Sequence, residues 1–279
     1  MTTDFQAARV ALGARLRELR EDAGLTGKDL AQRLGWQRSK VSRLETGKQT
    51  AAASDLESWA AAVGVPEQAA DLHSRLRGLE SQQRSWRRQL AAGHAPVQDR
   101  YVVEYQSMAT ARGYEATVIP GLFQTADYAR HLLGQAAVLM RSPRDTDEAV
   151  AARVRRQQVL YEPGRLYRVL IWEGALHALV CPPGVMVGQL DRLVSLIGMS
   201  TVDLGVVPLG ARMPLTPKHG FWIFGESKVV VETINTELVY DGPEDIDLYG
   251  RVWEQLHDAA VHGPQAHRLI ARARGSLTR

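Results

Sequence analysis

The sequence predicts a multidomain protein with an all-α N-terminal domain of five helices and an α+β C-terminal domain that contains a small, mostly antiparallel sheet. Its 279 residues exceed the commonest length of one domain, which is about 100–150 residues. Apolar residues recur with helical spacing through the first part of the chain. From about Pro96, helical patterns alternate with short runs of β-branched and aromatic residues, which are typical of strands. We expect domains at residues 1–80 and 99–279, with a helical linker at 81–98.

The composition is that of a globular protein, with 45% hydrophobic and 23% charged residues. We find no run of about 18 apolar residues, the length that a membrane-spanning helix needs. The N-terminus lacks the basic and then apolar layout of a signal peptide. The single cysteine, Cys181, excludes an internal disulfide and a CxxC zinc site. We therefore expect a cytoplasmic protein that does not associate with membranes.

Positive charge is concentrated in the first third of the chain. Residues 1–90 contain 15 Lys and Arg against 11 Asp and Glu, whereas the remaining residues contain 19 against 20. Three of the five lysines, Lys28, Lys40 and Lys48, lie within one short segment. Such an excess suits a surface that neutralises phosphate groups. The first domain is therefore the better candidate for binding a nucleic acid.

The first predicted helix covers residues 8–22 and supports the segment that follows. That segment, residues 24–47, reads GLTGKDLAQRLGWQRSKVSRLETG. Thr26 is suited to cap a helix, since its hydroxyl can accept a hydrogen bond from a helical N–H. Gly35 ends this helix, because glycine tolerates the left-handed conformation of a C-cap. The apolar face of the helix consists of Leu30, Ala31 and Leu34.

A second helix of this segment runs from about residue 37 to Glu45 and ends before Gly47. Val41 and Leu44 point inward, whereas the other face is polar and basic. Two helices joined by a short turn, the second presenting hydrogen-bonding side chains, form the pattern of a helix-turn-helix that reads DNA. An ordinary helical hairpin with a solvated polar face is the alternative. The arginines of this face and the terminal glycines favour the DNA-reading interpretation.

The segment resembles the XRE/Cro-type helix-turn-helix, whose usual run is LT-x-x-x-LA-x-x-LG-x-(S/T)-x-x-x-(V/I)-S-x-(L/I)-E-x-G. It departs from that run at Trp36, where a small aliphatic residue is usual, and at Gly27 and Lys28, where Gln-Glu is common. The resemblance implies a Cro/repressor-like domain of five helices. It also implies that Arg20 and Glu45 form a structural pair, which ties the first helix to the end of the recognition helix.

A double-stranded DNA operator is the expected partner of the first domain. We expect base contacts from a set of side chains that can hydrogen-bond to base edges: Gln37, Arg38, Ser39, Ser42 and Arg43. Contacts to the DNA backbone position a protein without specifying sequence, and we expect them from Thr26, Lys28, Lys40 and Lys48. A single reading helix gives limited affinity, so we expect a homodimer on a two-fold site with half-sites about one helical turn apart.

Further periodic segments complete both domains. Ser54 is suited to cap a helix whose apolar stripe consists of Leu56, Trp59, Ala60 and Val63. In the second domain we predict helices at 98–112, from Thr125 onward, and at 145–160, 185–198, 244–261 and 265–274. Strands are predicted at 166–172, 202–208, 221–224 and 228–234.

Three segments of the second domain resemble the C-terminal domain of the WhiJ-like regulators of actinobacteria. They read YEATVIPGLFQTADYA at 114–129, ARVRRQ at 152–157, and GFWIF followed by VVVE at 220–232. The resemblance covers nearly the whole chain. It implies an antitoxin-like domain of unsettled biochemical role, commonly paired with a small partner protein that is encoded nearby.

Aromatic side chains of the second domain suggest a place where a signal is received. We assign a candidate effector or partner surface to Tyr114, Phe123, Gln124, Trp172 and Trp222. A pocket for a small-molecule effector, a surface for a small partner protein and a plain core are the alternatives there, since large apolar residues are most often buried.

Enzymatic motifs such as GxSxG, HExxH, a P-loop or GxGxxG do not occur in the chain. His257, His262 and His267 recur every five residues, which would spread them around one helix rather than onto a metal-binding face. We therefore expect no enzymatic activity, no cofactor and no bound metal. The leading interpretation is a transcriptional regulator whose C-terminal domain dimerises and receives a signal. The alternative is an antitoxin-like protein that sequesters a small partner protein and autoregulates its own operon.

Overall fold

The computed structural model describes residues 4–83, 85–213 and 218–277 of the protein. The chain divides into two compact units, Met1–Ser85 and Trp86–Arg279. Part of the segment expected as a linker therefore belongs to the second unit. Within the described ranges, no helix is both long and apolar enough to cross a membrane.

Helices build the first unit around one core. They are α1 (Asp4–Asp22), α2 (Gly27–Leu34), α3 (Arg38–Glu45), α4 (Ala53–Ala62) and α5 (Ala69–Gln83), with a short 3-10 helix at Pro66–Gln68. Leu16, Leu30, Leu56 and Trp59 are almost fully buried between them. The Trp59 indole N–H donates a hydrogen bond to the Leu16 carbonyl oxygen over 3.1 Å, which satisfies its polar atom inside this core. The helical N-terminal domain is thus confirmed.

The prediction that Ser54 caps the fourth helix is wrong, because the N-cap is Ala52. α4 begins at Ala53, and Ser54 lies inside its first turn. The backbone N–H of Ala52 donates to Asp55 Oδ2 over 3.1 Å, so an acidic residue three positions after the N-cap supplies the capping contact. The predicted apolar stripe is confirmed by the burial of Leu56, Trp59, Ala60 and Val63.

The second unit is built on a seven-stranded mixed sheet. Its strands are β1 (Thr110–Glu115), β2 (Leu166–Trp172), β3 (Val202–Val207), β4 (Phe221–Phe224), β5 (Lys228–Glu232), β6 (Glu237–Tyr240) and β7 (Val261–His262). They lie in the order β6-β5-β4-β1-β2-β3-β7. β1, β2 and β3 run parallel to one another, and every other neighbouring pair is antiparallel.

Helices cover both faces of this sheet. They are α6 (Trp86–Gln89), α7 (Ala95–Gln106), α8 (Ala126–Met140), α9 (Thr146–Arg156), α10 (Glu173–His177), α11 (Pro183–Leu196), α12 (Pro243–Ala259) and α13 (Gly263–Ser276). α12 packs on one face, where Tyr114 and Trp253 belong to the core. The layer on the other face includes α7, α11 and α13, which contribute Tyr105, Leu190 and Ile270 to its core. Helices connect β1 to β2 and β2 to β3, as parallel neighbours require.

The sheet is larger than the small one predicted, and it is mixed rather than mostly antiparallel. Residues 110–112 of β1 were predicted as the end of a helix at 98–112, because the sequence of β1, TARGYE, combines glycine and charged residues and has little strand propensity. α7 instead ends at Gln106. β1 pairs with β2 on one side and β4 on the other, so its conformation is decided by hydrogen bonds to distant segments. The short strands β6 and β7 were not predicted either.

Candidate nucleic-acid interface and a cavity in the second unit

Capping contacts define both ends of α2, and those at its C-terminal end form the turn that leads into α3. The Asp29 N–H donates to Thr26 Oγ1 over 3.2 Å, and the Thr26 N–H donates back to Asp29 Oδ2 over 2.9 Å, which forms a capping box. The hydrogen bonds from the Thr26 hydroxyl and N–H lower the pKa of Asp29. Gly35 ends α2 with a φ of 66°, and the Trp36 N–H donates to the Ala31 carbonyl oxygen over 2.9 Å. Both predicted caps, Thr26 and Gly35, are confirmed.

α3 buries one edge and exposes the other. Val41 and Leu44 are 1% and 2% exposed and belong to the core of the first unit. Arg43 Nε donates to Gln49 Oε1 over 3.0 Å, which restrains the long side chain at the surface. The residues expected to read bases are all exposed: Gln37, Arg38, Ser39, Ser42 and Arg43. Their side chains are therefore accessible to a ligand outside the unit, and their individual roles stay predictions.

The four residues expected to contact the DNA backbone differ in their surroundings. Lys28 and Lys48 are exposed. The Thr26 hydroxyl is engaged in the cap of α2. Lys40 is half-buried, with Nζ 2.6 Å from Asp55 Oδ1. Two of the four groups thus already have partners inside the unit, and Lys28 and Lys48 are the stronger predictions of this set.

Trp36 has a structural role in the turn before α3. Its half-buried ring lies 6.3 Å from the ring of Trp59, centroid to centroid, and packs against the core. Lys40 Nζ lies 3.8 Å from the centroid of the Trp36 ring, in a cation–π contact. The bulky residue found where a small aliphatic one is usual therefore helps to anchor α3 on the core.

Arg20 and Glu45 form a buried ion pair between α1 and the end of α3. Arg20 Nε donates to Glu45 Oε1 over 2.6 Å, Nη2 donates to Oε2 over 3.1 Å, and each residue is 8% exposed. Arg20 Nη1 also donates to the Leu25 carbonyl oxygen over 2.7 Å, and Arg17 Nε donates to Glu45 Oε2 over 3.2 Å. Hydrogen bonding to Glu45 raises the pKa of Arg20. These contacts hold the C-terminal end of α3 against α1.

The five residues assigned to an effector or partner surface do not form one surface. Tyr114 and Trp172 lie on the sheet face that α12 covers, and Phe123 is buried in the core of the other face. Gln124 and Trp222 line a cavity on that second face. Tyr114 is paired in register with Phe221, so Trp222, the next residue of β4, points to the opposite face of the sheet.

The cavity has a volume of about 390 Å³, which is within the range of small-molecule sites. Part of its wall is aromatic and consists of Trp86, Tyr101, Tyr105, Trp222 and Phe224. Another part is charged and consists of Glu115, Arg153, Arg156 and Glu232. Leu139 and Ile234 also line the cavity and are 70% and 81% exposed, respectively. The cavity therefore opens to solvent beside these two apolar side chains.

Three segments singled out in the sequence meet at this cavity. The segment that ends in FQTADYA contributes Gln124, and ARVRRQ contributes Arg153 and Arg156. The third segment contributes Trp222 from β4 and Glu232 from β5. The cavity is therefore assembled from parts of the chain that are far apart in sequence.

Buried glutamines hold the turn that leads into α8. Gln124 Nε2 donates to the Ile119 carbonyl oxygen over 2.6 Å, and Gln124 Oε1 accepts from Arg153 Nη1 over 2.6 Å. Gln189 Nε2 donates to the Phe123 carbonyl oxygen over 2.9 Å. The turn is thus tied both to the core and to an arginine of the cavity wall.

Burial shifts the pKa values of charged groups around the cavity. It raises the pKa of Glu115 to about 8, and a hydrogen bond of 3.0 Å from Trp222 Nε1 opposes this only in part. Burial also raises the pKa of Glu232. Burial, and next the neighbouring Arg156, lower the pKa of Arg153 to about 10. Near neutral pH, Arg153 therefore keeps its charge, whereas Glu115 is mostly protonated.

Arg156 is 5% exposed, and its guanidinium forms no hydrogen bond or ion pair with the described residues. It lies 5.4 Å from the ring centroid of Tyr101 and 5.0 Å from that of Tyr105. A cation–π contact contributes about 0.5–2 kcal/mol. Desolvating an unpaired buried charge costs on the order of several kcal/mol. The protein therefore compensates the charge of Arg156 only in part.

The four charged cavity residues lie in the three segments singled out above, but the sequence analysis assigned none of them to a site. A signal did exist for Arg153 and Arg156, which are three residues apart in a helix and so project from the same side. Glu115 and Glu232 carry no such signal, because they lie on β1 and β5, which are brought near each other only by the strand between them.

Two histidines expected to spread around one helix instead lie together, so that expectation is wrong for them. α12 ends at Ala259, and His262 belongs to β7, which brings its ring within 4.9 Å of the His257 ring, centroid to centroid. His262 Nδ1 is 2.9 Å from Asp203 Oδ1, and His257 Nε2 is 3.9 Å from Asp203 Oδ2. These ligand atoms lie within 4.8 Å of one another, close enough to hold a metal ion.

Two protein families match parts of the chain. The helix-turn-helix domain matches residues 11–72, and the domain of unknown function DUF5753 matches residues 99–272. No curated protein and no solved structure matches the chain. The helix-turn-helix prediction is therefore confirmed at the level of the domain. The second match includes most of the residues that line the cavity.

Proposed function

Since the chain belongs to the family of the domain of unknown function DUF5753 and carries a helix-turn-helix domain before it, we propose that it is a sequence-specific transcriptional regulator. It binds DNA in the cytoplasm as a homodimer and reads the major groove through residues 37–45. It has no catalytic role and uses no cofactor. The observation that carries this function is the exposed polar face of α3, on a helix whose opposite edge is anchored in the core.

Two features support this role for α3. Its ends are fixed, because Gly35 and the hydrogen bond from the Trp36 N–H to the Ala31 carbonyl oxygen form the turn before it, and the Arg20–Glu45 pair holds its last turn. A rigidly held helix keeps its side chains in register with base edges. The positive excess of the chain also lies in the same third of the sequence, where it favours association with phosphate groups.

Replacing Arg43 tests whether α3 reads bases. The operator is first selected from genomic fragments bound by the full chain. Arg43→Ala is then expected to weaken operator binding about tenfold or more, since a bidentate contact between arginine and guanine contributes about 1–3 kcal/mol of discrimination. Binding to random DNA should fall much less, because only one charge is lost. Fluorescence anisotropy at one fixed salt concentration measures both affinities.

The matched control is Arg75→Ala, which removes the same charge from α5. Arg75 is part of an exposed pair with Asp71, and α5 packs on α1 and α4. This variant should bind operator and random DNA with nearly unchanged affinities. An equal loss on operator and random DNA for Arg43→Ala would contradict base reading by that residue.

The second unit is proposed to control DNA binding by receiving a signal, either a small molecule or a small partner protein encoded nearby. The cavity, with its mixture of aromatic and charged side chains, supports the small-molecule form. In the antitoxin-like alternative, the chain mainly sequesters the partner protein and autoregulates its operon. Affinity purification of the full chain from its own cells distinguishes the two. A stoichiometric small protein that is retained at high salt favours the alternative.

A further inference from the structure

The charged part of the cavity wall carries more positive than negative charge near neutral pH. Arg153 and Arg156 both face the cavity, and Gly121 leaves room for the second of them, since a Cβ there would lie 2.6 Å from Arg156 Nη2. Burial raises the pKa of Glu115 to about 8, so Glu115 is mostly protonated near neutral pH, and of the two acids in this wall only Glu232 opposes the two arginines. The wall therefore favours an occupant with negative charge.

The two arginines differ in how many of their N–H donors already have partners in the protein. Arg153 Nε donates to Gln98 Oε1 over 3.0 Å, and its Nη1 donates to Gln124 Oε1 over 2.6 Å, so two of its nitrogens are already engaged. Arg156 lies near the rings of Tyr101 and Tyr105, its buried Nε has no hydrogen-bond partner, and no other described residue pairs with its guanidinium. One guanidinium with open donors suits a carboxylate, which can accept two parallel hydrogen bonds from it.

The other residues of the wall indicate the shape and charge of the rest of the ligand. Aromatic rings of Trp86, Trp222 and Phe224 and the apolar residues of α8 surround most of the cavity. Glu232 lies on the same wall, and the Tyr101 hydroxyl oxygen is 3.2 Å from Glu232 Oε1. A dianion such as a phosphate would meet this carboxylate, whereas a single negative charge on an apolar body would not be opposed as strongly.

We propose that the cavity binds a small monocarboxylic acid with an aromatic or alkyl body, whose carboxylate pairs with Arg156. The apolar body lies against the aromatic wall, and the protonated Glu115 supplies a hydrogen-bond donor beside it. Taking this acid as the signal rests on the proposed function. Binding itself does not, because it is measured on the full chain without DNA, so the two can fail separately.

The test uses a series of probes that share a phenyl group and differ in charge. Phenylbutyrate, phenylbutanamide and phenyl phosphate are titrated into the full chain by isothermal calorimetry. We expect phenylbutyrate to bind about tenfold or more tightly than the amide, which is the usual size of one charge-assisted hydrogen-bonded contact. It should also bind more tightly than phenyl phosphate, because of Glu232.

Three variants locate the binding. Arg156→Gln should remove the advantage of the carboxylate over the amide and leave the affinity for the amide within about threefold. Arg155→Gln is the matched control, because its guanidinium pairs with Asp99 at the surface and lies outside the cavity wall. Glu232→Gln should raise the affinity for phenylbutyrate. That variant tests the site even where Arg156→Gln does not fold, as judged by circular dichroism.

Four results would overturn the assignment. They are no binding of phenylbutyrate at millimolar concentration, equal affinities for the acid and the amide, tighter binding of phenyl phosphate, or loss of both phenyl probes in Arg156→Gln when that variant is folded. If phenylbutyrate binds as expected but leaves operator affinity unchanged, the cavity assignment stands and its role as the input of a regulator is wrong.

Discussion

Charged residues of the cavity wall meet the cost of burial in three different ways. Glu115 becomes protonated, since its pKa is raised to about 8. Arg153 keeps its charge and donates hydrogen bonds to Gln98 and Gln124. Arg156 has no such partner among the described residues and is stabilised by the Tyr101 and Tyr105 rings instead. These differences follow from the chemistry of each side chain rather than from its position alone.

Replacing Glu115 with glutamine is expected to stabilise the second unit at pH 8 and to change little at pH 5. The folded protein holds the Glu115 proton up to about pH 8, whereas the unfolded chain releases it near its usual value of 4.5. The folded state thus binds more protons between these values, and stability falls as the pH rises. Glu115→Gln removes this loss, and its amide can still accept the Trp222 hydrogen bond.

Thermal unfolding at both pH values measures the effect, which should be a rise in Tm of about 2–6 °C at pH 8. Glu254→Gln, which removes an exposed carboxylate from α12, serves as the control. A Tm difference between Glu115→Gln and the wild type that is the same at pH 5 and pH 8 would show that the carboxyl group does not titrate in this range.

At the scale of elements, the contact between α1 and α3 depends on a glycine inside a helix. A Cβ at Gly13 would come within 2.5 Å of the Leu44 carbonyl oxygen and 2.6 Å of the Glu45 carbonyl oxygen. The absence of a side chain therefore lets the end of α3 approach α1 closely. The Arg20–Glu45 pair joins the same two helices, so the spacing set by Gly13 also positions that pair.

Gly13→Ala is expected to lower the free energy of unfolding of the first unit by about 1–3 kcal/mol, the usual cost of overpacking. Alanine has a higher helix propensity than glycine by about 1 kcal/mol, which offsets only part of this cost. Hydrogen exchange measured by mass spectrometry should show faster exchange in α1 and α3.

Gly134→Ala is the control, and it is expected to change hydrogen exchange in the opposite direction. Gly134 lies inside α8, and a Cβ there would meet no atom within 4 Å. Alanine should therefore slow exchange in α8. If hydrogen exchange in α1 and α3 of Gly13→Ala is the same as in the wild type, the two helices can move apart without a measurable loss of stability.

Elements with a strong local period were predictable, and those without one were not. The apolar spacing of α4 and the β-branched residues of β2 identified both elements. β1 gave no such signal, because Gly113 lies directly beneath the Trp222 ring, where a Cβ would come within 2.9 Å. The glycine that lowers strand propensity is thus the residue that the packing of the sheet requires.

At the scale of the whole molecule, the expected homodimer makes a prediction about the operator. Two chains should bind one duplex whose half-sites are about one helical turn apart. Sedimentation velocity of the full chain with a labelled operator measures the stoichiometry. Inserting about five base pairs between the half-sites should weaken binding strongly, because it places them on opposite sides of the duplex.

Insertion of about ten base pairs is the control, since it restores the rotational phase and should recover part of the affinity. One chain per operator, or an affinity that does not depend on the phase of the insertion, would contradict the dimer. Neither result would bear on base reading by Arg43, which is measured separately.

The sequence by itself determined that this protein carries a helix-turn-helix, which helix face is exposed, and where its caps lie. These properties depend on contacts between residues a few positions apart, which the helical period and the capping residues specify directly. The tertiary structure alone decided that the sheet is mixed, that Lys40 is engaged by Asp55, and that Arg156 lines a cavity. The cavity wall is drawn from residues between Trp86 and Ile234. Strand pairing and burial decide which of these residues meet, and no local sequence pattern specifies either.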